Sequence, residues 1–312
     1  MKTFPQWASL ILCLDILLQA SFGYASASAS AVAESQDAEM ARLNHNIATN
    51  PAYPFAYTVR GALKKSRGDL DGALADFNRA VSLDPKNAEA YNNLGLVKQA
   101  KRDLPGAAAE FSKAIALNPN YTDAWYNRGR VKKSAGDLDG ALADYNRVLD
   151  LDPHYSDAWL RRGNLKMAKK DIPGAQSDFR MCYKFSDPHW KDYARINQWL
   201  ARTARGEKTG ANELISTYLT KRNPSTSSQN DWPAHIMEFL LNKIDETALI
   251  TGATARGDQG QLCQAFYYAG MKQLLAGDKA KAAEFFNKCR ATQKWDYDEY
   301  QFAISELKTL GM

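Results

Sequence analysis

Between residues 54 and 189 the small, apolar and helix-stopping positions recur every 34 residues. Gly61, Ala73, Phe77, Ala80 and Pro85 return as Gly95, Ala107, Phe111, Ala114 and Pro119, then as Gly129, Ala141, Tyr145, Val148 and Pro153. A fourth step gives Gly163, Ala175, Phe179 and Cys182, with the proline slipped one place to Pro188. The copies are Pro54–Asn87, Ala88–Tyr121, Thr122–Tyr155 and Ser156–His189. Each copy contains two segments of helical periodicity. In the second copy Tyr91, Leu94 and Gly95 share one face of a first helix, and Ala107, Phe111 and Ala114 share one face of a second. Gly95 and Ala107 are expected where the two helices cross most closely, with Phe111 filling the space beside them. Asp103 is placed to cap the second helix, and Pro105 in its first turn lacks only an N–H that has no intrahelical partner. Pro119 stops that helix and pushes Asn118 out of the α region.

A period of this length in a helix–turn–helix unit resembles the tetratricopeptide repeat (TPR). The residues that carry the resemblance are Tyr91-x-x-Leu94-Gly95, Ala107-x-x-x-Phe111 and Pro119, with Trp125 and Trp159 at the aromatic position of the next two copies. Arg128 and Arg162 stand where the second copy has Leu94; their stems are expected to pack while their heads reach water. The resemblance implies an all-α fold, a right-handed superhelical solenoid of TPR hairpins with extra C-terminal helices. It implies a job of holding protein or peptide partners rather than catalysis.

Outside the array the pattern changes. Residues 1–27 read as a secretory signal peptide, with Lys2, an apolar run Trp7–Phe22 and a small-x-small site at Ala25-Ser26-Ala27. Asp15 within the run argues against a membrane anchor, since a charge at mid-bilayer costs roughly 3 kcal/mol. Cys13 follows Ile11 and Leu12, not the small residues of a lipoprotein processing site. The mature form is therefore expected to be soluble, without a membrane span, and exported, periplasmic or secreted. Ser28–Gln36 is Ser/Ala-rich and expected to be disordered, and Asp37–Thr49 to form a short helix capping the array, so that residues 28–50 form one segment.

Beyond the array, residues 190–260 read as a degenerate TPR-like hairpin followed by non-TPR helices. Tyr193, Ile196, Leu200 and Ala204 keep helical spacing, and Ala211, Leu214 and Leu219 suggest a second helix. Asn223–Asp231 reads as a loop, Pro233–Lys243 and Glu246–Ala253 as helices, and Thr254–Gln261 as a loop. The period returns over residues 261–312. Phe266, Gly270, Gly277, Ala282, Phe286 and Cys289 take their repeat positions, with Tyr297–Leu310 as a closing helix and Gly311 past its end. This order of parts is similar to that of NlpI-type TPR proteins of the bacterial cell envelope, adaptors that bring envelope proteases and peptidoglycan enzymes together. The absent lipoprotein signal is a departure from that type. The alternatives are an accessory or self-assembling subunit of an envelope complex, a homodimer included, and, more remotely, a catalytic role in the 193–260 segment.

In a TPR array the first helices line the concave face, with side chains at positions 2, 5, 6, 9, 12 and 13 of each repeat pointing into it. The resemblance thus nominates Asn92, Asn93, Leu96 and Gln99 in the second repeat, Tyr126, Asn127, Arg130 and Lys133 in the third, and Leu160, Arg161, Asn164 and Met167 in the fourth. Amides can bond a peptide backbone, and Tyr126, Leu160 and Met167 offer anchors. The same residue types are also ordinary solvated repeat positions.

The search for catalytic chemistry yields little. The four histidines, His45, His154, His189 and His235, have no paired spacing, and no metal set, cofactor motif or nucleophile–base combination stands out, including in the 193–260 segment. Asp71/Asp76 and Asp139/Asp144 repeat with the period and are read as helix-surface charges. The net charge of +5 is interleaved with acids and forms no dense basic stripe, so nucleic acid is not an expected partner. Beyond the signal there are three cysteines, Cys182, Cys263 and Cys289. Cys263 is at position 1 of the last repeat and Cys289 at position 27, which an antiparallel hairpin brings to the same open end. Two readings stay open, a Cys263–Cys289 bridge or two small buried core residues.

Overall fold

The computed structural model describes residues 27–186, 188–221, 231–294 and 297–312. The expected signal sequence with Cys13, the side chain of His189 and nearly all of the Asn223–Asp231 loop lie outside these residues. Among the described residues there are sixteen helices and no strand. The chain divides into two compact units, residues up to Val97 and Lys98–Met312.

The first unit holds α1 (Ala27–Thr49), α2 (Pro54–Ser66), α3 (Leu70–Leu83) and most of α4 (Ala88–Ala100). α1 is helical from Ala27, so Ser28–Gln36 is not the disordered segment that its composition suggested. Its alanines have the highest helix propensity and extend the helix that Asp37–Thr49 already forms. α1 occupies the place of a second helix in a preceding repeat. Leu43, 34 residues before Phe77, is fully buried. Asn44, at the same offset from Asn78, accepts a hydrogen bond of 2.9 Å from Arg60. The core of this unit gathers Ala73, Phe77, Leu94 and Val97.

The second unit continues the array with α5 (Leu104–Leu117), α6 (Thr122–Ser134), α7 (Leu138–Leu151), α8 (Ser156–Ala168) and α9 (Ile172–Phe185). It goes on through α10 (Pro188–Ala204), α11 (Lys208–Lys221), α12 (Trp232–Leu240) and α13 (Glu246–Ala255) to α14 (Gln259–Leu275), α15 (Lys279–Ala291) and α16 (Asp298–Thr309). α14 starts within the expected Thr254–Gln261 loop because Asp258 caps it, accepting from the Gly260 N–H at 2.7 Å. The largest core cluster runs from α10 to α16 around Trp199, Phe239, Tyr268 and Phe286.

Caps and crossings explain the regularity. Asp69, Asp103, Asp137 and Asp171 each accept from the backbone N–H three residues on, at 2.8–3.0 Å, and such a cap is worth about 1 kcal/mol. Asp231 does the same for α12. At the crossing, a Cβ on Gly163 would lie 2.6 Å from Phe179 Cε1. Phe179 is itself fully buried against Ala175 and Cys182. Gly61 faces Phe77, Gly129 faces Tyr145 and Gly270 faces Phe286 in the same way.

The charged residues of the repeat do not behave as expected. The Arg128 guanidinium does not reach open water: it donates two hydrogen bonds to Asp144, at 2.9 and 2.7 Å, and Lys132 closes on the same carboxylate at 3.0 Å. Asp144 is 1 % exposed, so it is a core group and not a helix-surface charge. Arg162, Asp178 and Lys166 repeat the arrangement, as do Arg60, Asp76 and Lys64. Trp125 and Trp159 lie under the Arg128 and Arg162 guanidinium groups, 4.7 and 4.6 Å from them. Their indole N–H groups donate to the carbonyls of Pro119 and Pro153. A carboxylate inside a hairpin must be paired, because an unpaired buried charge costs several kcal/mol. The second repeat solves the problem differently. Leu94 replaces the arginine, and a longer carboxylate, Glu110, meets Lys98 at 2.6 Å and Lys113 at 3.0 Å. Burial alone would raise the Glu110 carboxyl, but the two ammonium groups hold it below its ordinary range. Asp71 and Asp139 are exposed, as expected.

Two outcomes test this packing. Gly163→Leu should destabilise the chain by about 3 kcal/mol, since the first added carbon already overlaps Phe179; a denaturant midpoint unchanged from wild type refutes the crossing. Arg128→Leu should cost about 2 kcal/mol by leaving Asp144 with Lys132 alone. Adding Asp144→Glu recreates the Leu94, Lys98 and Glu110 set and should recover about 1 kcal/mol. Strict additivity of the two changes in a double-mutant cycle would contradict the clamp.

Candidate partner-binding face

Within the second unit, the row of first helices α6, α8 and α10 faces α14 and α16 across a cleft. The row is held at fixed spacing by polar struts. The Tyr126 hydroxyl donates to Asp157 of the next repeat, and Arg161 Nε reaches both Tyr126 Oη and Asp157 Oδ1 at 3.2 Å. The Tyr126 ring lies 5.1 Å from that of Tyr155, whose hydroxyl donates to Asp123 at 3.3 Å. Burial, and then the neighbouring carboxylates against the pull of Arg161, push the Tyr126 hydroxyl well above its ordinary acidity range. Tyr126 is therefore a neutral donor that ties two repeats together.

The cleft contains two adjoining cavities. The smaller, of about 270 Å³, is bounded by Leu160, Arg161, Asn164 and Tyr193 on one wall and by Gln264, Tyr268 and Glu299 on the other. A chain of hydrogen bonds orders the second wall: Trp232 Nε1 donates to Gln264 at 2.7 Å, Gln264 Nε2 donates to Glu299 at 3.1 Å, and the Tyr268 hydroxyl donates to the same carboxylate oxygen at 3.4 Å. The larger, of about 390 Å³, is lined by Asn164, Met167, Leu200, Met271, Leu274, Phe302 and Glu306 among others. Across the cleft α16 reaches back to the array. The Phe302 ring sits 4.9 Å from the Lys133 ammonium, and Glu306 pairs with Lys170 at 3.3 Å.

The twelve nominated residues fare unequally. Asn92, Asn93 and Leu96 belong to the first unit, where Asn92 is buried. In the second unit Tyr126, Asn127, Lys133, Leu160 and Asn164 are buried, whereas Gln99, Arg130, Arg161 and Met167 are half-buried. These side chains therefore do not all stand open to solvent. α16 covers Lys133, and the struts between repeats take up Tyr126. Leu160, Arg161, Asn164 and Met167 are brought together in the cleft, whereas Asn127 and Arg130 line neither cavity. The opposite wall was not nominated, yet the same repeat positions would have found it. Counting Cys263 as position 1, positions 2, 5, 6, 9, 12 and 13 of the last repeat are Gln264, Tyr267, Tyr268, Met271, Leu274 and Leu275, and all six line the cleft. Two inner faces therefore look at each other, with α16 along one edge.

Among the described residues no three His, Cys, Asp or Glu side chains form a metal-binding group, and no helix is long and apolar enough to cross a membrane. The two thiols Cys263 and Cys289 meet at the end of the last hairpin, with both sulfurs free and buried.

Family models described as TPR repeat and tetratricopeptide repeat match residues 61–102, 88–121 and 122–155. No curated protein matches the chain. Among solved structures, a tetratricopeptide repeat protein from Parabacteroides merdae is 18% identical with a TM-score of 0.56, over 83% of this chain and 99% of that one. YrrB, described as a TPR protein with an unusual peptide-binding site, is 21% identical with a TM-score of 0.52, over 65% of this chain and 98% of its own. MamA from Desulfovibrio magneticus RS-1 is 17% identical with a TM-score of 0.51, over 56% of this chain and 97% of its own. At these identities the likeness is one of fold. The family matches, the repeated glycine–aromatic crossing and the 34-residue period show that residues 61–155 are tetratricopeptide repeats.

Proposed function

We propose that the protein is a non-catalytic, exported adaptor that holds helical segments of partner proteins against the inner face of its third and fourth repeats. The observation that carries this reading is the seat already taken by α16. An amphipathic helix of the chain's own lies along that face, with an aromatic and a carboxylate four residues apart meeting Lys133 and Lys170. Residues spaced in this way lie on one side of a helix, which is how helix-in-groove recognition reads its ligands. The half-buried Arg161 and Met167 extend the same surface with a cation and a soft apolar side chain. The expected partner segment is accordingly a helix with an aromatic–x₃–acid pattern.

Export rests on the charge, apolar run and small-residue cleavage sites of residues 1–27. The similarity of layout to NlpI-type proteins supports an envelope setting, in which the partners would be other envelope proteins. N-terminal sequencing of the chain recovered from an envelope or extracellular fraction tests this part. An intact Met1 in the cytosolic fraction would overturn it.

Binding is tested with a synthetic peptide of the α16 sequence, labelled and added in trans. A tethered helix competes at millimolar effective concentration, so the wild-type chain should bind the peptide weakly. Phe302→Ala with Glu306→Ala should tighten binding about tenfold by fluorescence anisotropy, and Lys133→Glu in that background should reverse the gain. If the loosened chain binds no better than wild type, or Lys133→Glu changes nothing, the inner face is not the site.

A further inference from the structure

The open end of the last hairpin carries a pair of thiols that the repeat does not require. Cys289 stands at the position held by Ala80, Ala114 and Val148 in earlier repeats, so a small apolar side chain would serve the packing. Its sulfur lies 3.1 Å from that of Cys263, and neither residue is exposed. The two residues are 26 apart in sequence and come from α14 and α15. The third cysteine, Cys182, occupies the equivalent position in the fourth repeat and meets a hydroxyl instead, the Ser186 Oγ at 3.4 Å. Only one of the two hairpins with a cysteine at this position supplies it with a second thiol. A disulfide needs a separation of about 2.05 Å, so a closure of about 1 Å, within the reach of small side-chain rotations, would join the pair.

We propose that Cys263 and Cys289 form a disulfide that staples the last hairpin beneath the start of α16. In the cell this rests on the export reading, because an oxidising compartment must supply the oxidant. That oxidant is a disulfide donor, RSSR, either oxidised glutathione or a protein disulfide. One cysteine thiolate attacks a sulfur of RSSR, forming a mixed disulfide and releasing RS⁻. The second thiolate displaces the other RS⁻ and closes the Cys263–Cys289 bond. Two thiols are oxidised, one donor disulfide is reduced, and the two protons leave on two molecules of RSH.

The surroundings place this step during folding. The Cys289 sulfur also lies 3.7 Å from the carbonyl of Glu299, in the first turn of α16, so the seated helix leaves no room for a mixed disulfide. The hydrogen bond with Cys263, and then burial, push the Cys289 thiol far above its ordinary range, so the folded Cys289 is a poor nucleophile. The pair is therefore suited to a structural bridge that forms before α16 closes and is protected afterwards, and not to a catalytic dithiol.

The full chain, reduced and denatured, is refolded in a glutathione redox buffer or in excess reductant, alkylated under denaturing conditions and mapped by mass spectrometry. The expected product in redox buffer is a linked Cys263–Cys289 peptide with Cys13 and Cys182 alkylated. Its absence, or a bridge from Cys182 to either partner, overturns the proposal. The oxidised chain should melt several degrees above the reduced chain, since the crosslink restricts the unfolded state. Cys289→Ala, which copies Ala80 and Ala114, should abolish that difference, and Cys263→Ala should do the same. Equal melting of the oxidised and reduced wild-type chains would remove the stapling role. Alkylation of the chain within its own cells separates the two readings. A pair that bridges on refolding but is found reduced in the cell supports the geometry and refutes export.

Discussion

Four of the hairpins depend on one steric constraint, the approach of a glycine in the first helix to an aromatic ring in the second. At Gly163 the clearance to Phe179 leaves no space for even one carbon, and Gly61, Gly129 and Gly270 show the same approach. Close backbones mean that neighbouring side chains are sealed from water. Position 23 is among the sealed places, and it carries a carboxylate in all four repeats: Asp76, Glu110, Asp144 and Asp178. The carboxylate then dictates its partners. A short aspartate needs the forked reach of an arginine from position 7 and a lysine from position 11, and a longer glutamate does without the arginine. Crossing, burial and ion pairing thus form one chain of consequence. Such a set adds little to stability over an apolar core of the same shape, but losing one member is costly. It is better understood as fixing the register between the two helices.

Much of this was legible in the period. The helix pairs, the Asp103 cap, the stop at Pro119, the closing helix and the glycine crossing all follow from spacing and local propensity, and the structure has each of them. The ionic sets were misread because charges were judged one at a time, as surface groups. Their covariation was in plain view: arginine at 60, 128 and 162 goes with aspartate at 76, 144 and 178, and leucine at 94 goes with glutamate at 110. The helical start of α1 was missed for a related reason. Composition suggested disorder, while Leu43, Asn44 and Pro51 already repeat Phe77, Asn78 and Pro85 at the array's own offset.

The cleft is a different kind of omission. Its near wall came from repeat positions, and its far wall from the same positions in the last repeat, which were never read out. They differ in character. The second and third repeats offer Asn92, Asn93 and Asn127 at these places, whereas the last offers Tyr267, Tyr268, Met271, Leu274 and Leu275. An inner face that apolar cannot stay in water, because its area alone would favour burial by several kcal/mol. That contrast marks the last repeat as the one whose inner face must be covered. What covers it depends on contacts between elements more than a hundred residues apart, such as Lys133 with Phe302, and no local pattern encodes those.

The helix that lies in the cleft is held unequally on its two sides. Toward α14 and α15 it places Ala303 and Leu307, both buried in the large core cluster. Toward the repeats it offers a cation–ring contact and an ion pair, and Lys170 in that pair is exposed. Burial of Leu307 alone is worth about 2 kcal/mol, whereas an exposed ion pair contributes between about 0 and 1 and a cation–ring contact about 1. The weaker contact is the one that closes the cleft. On the proposed reading, a segment with an equivalent aromatic and carboxylate needs only to match that side, and the first-helix row would exchange its own helix for another's while α16 keeps its anchorage on the last hairpin. The anchorage explains why the face is shielded, and on that reading the light contact is what would let a partner displace the shield.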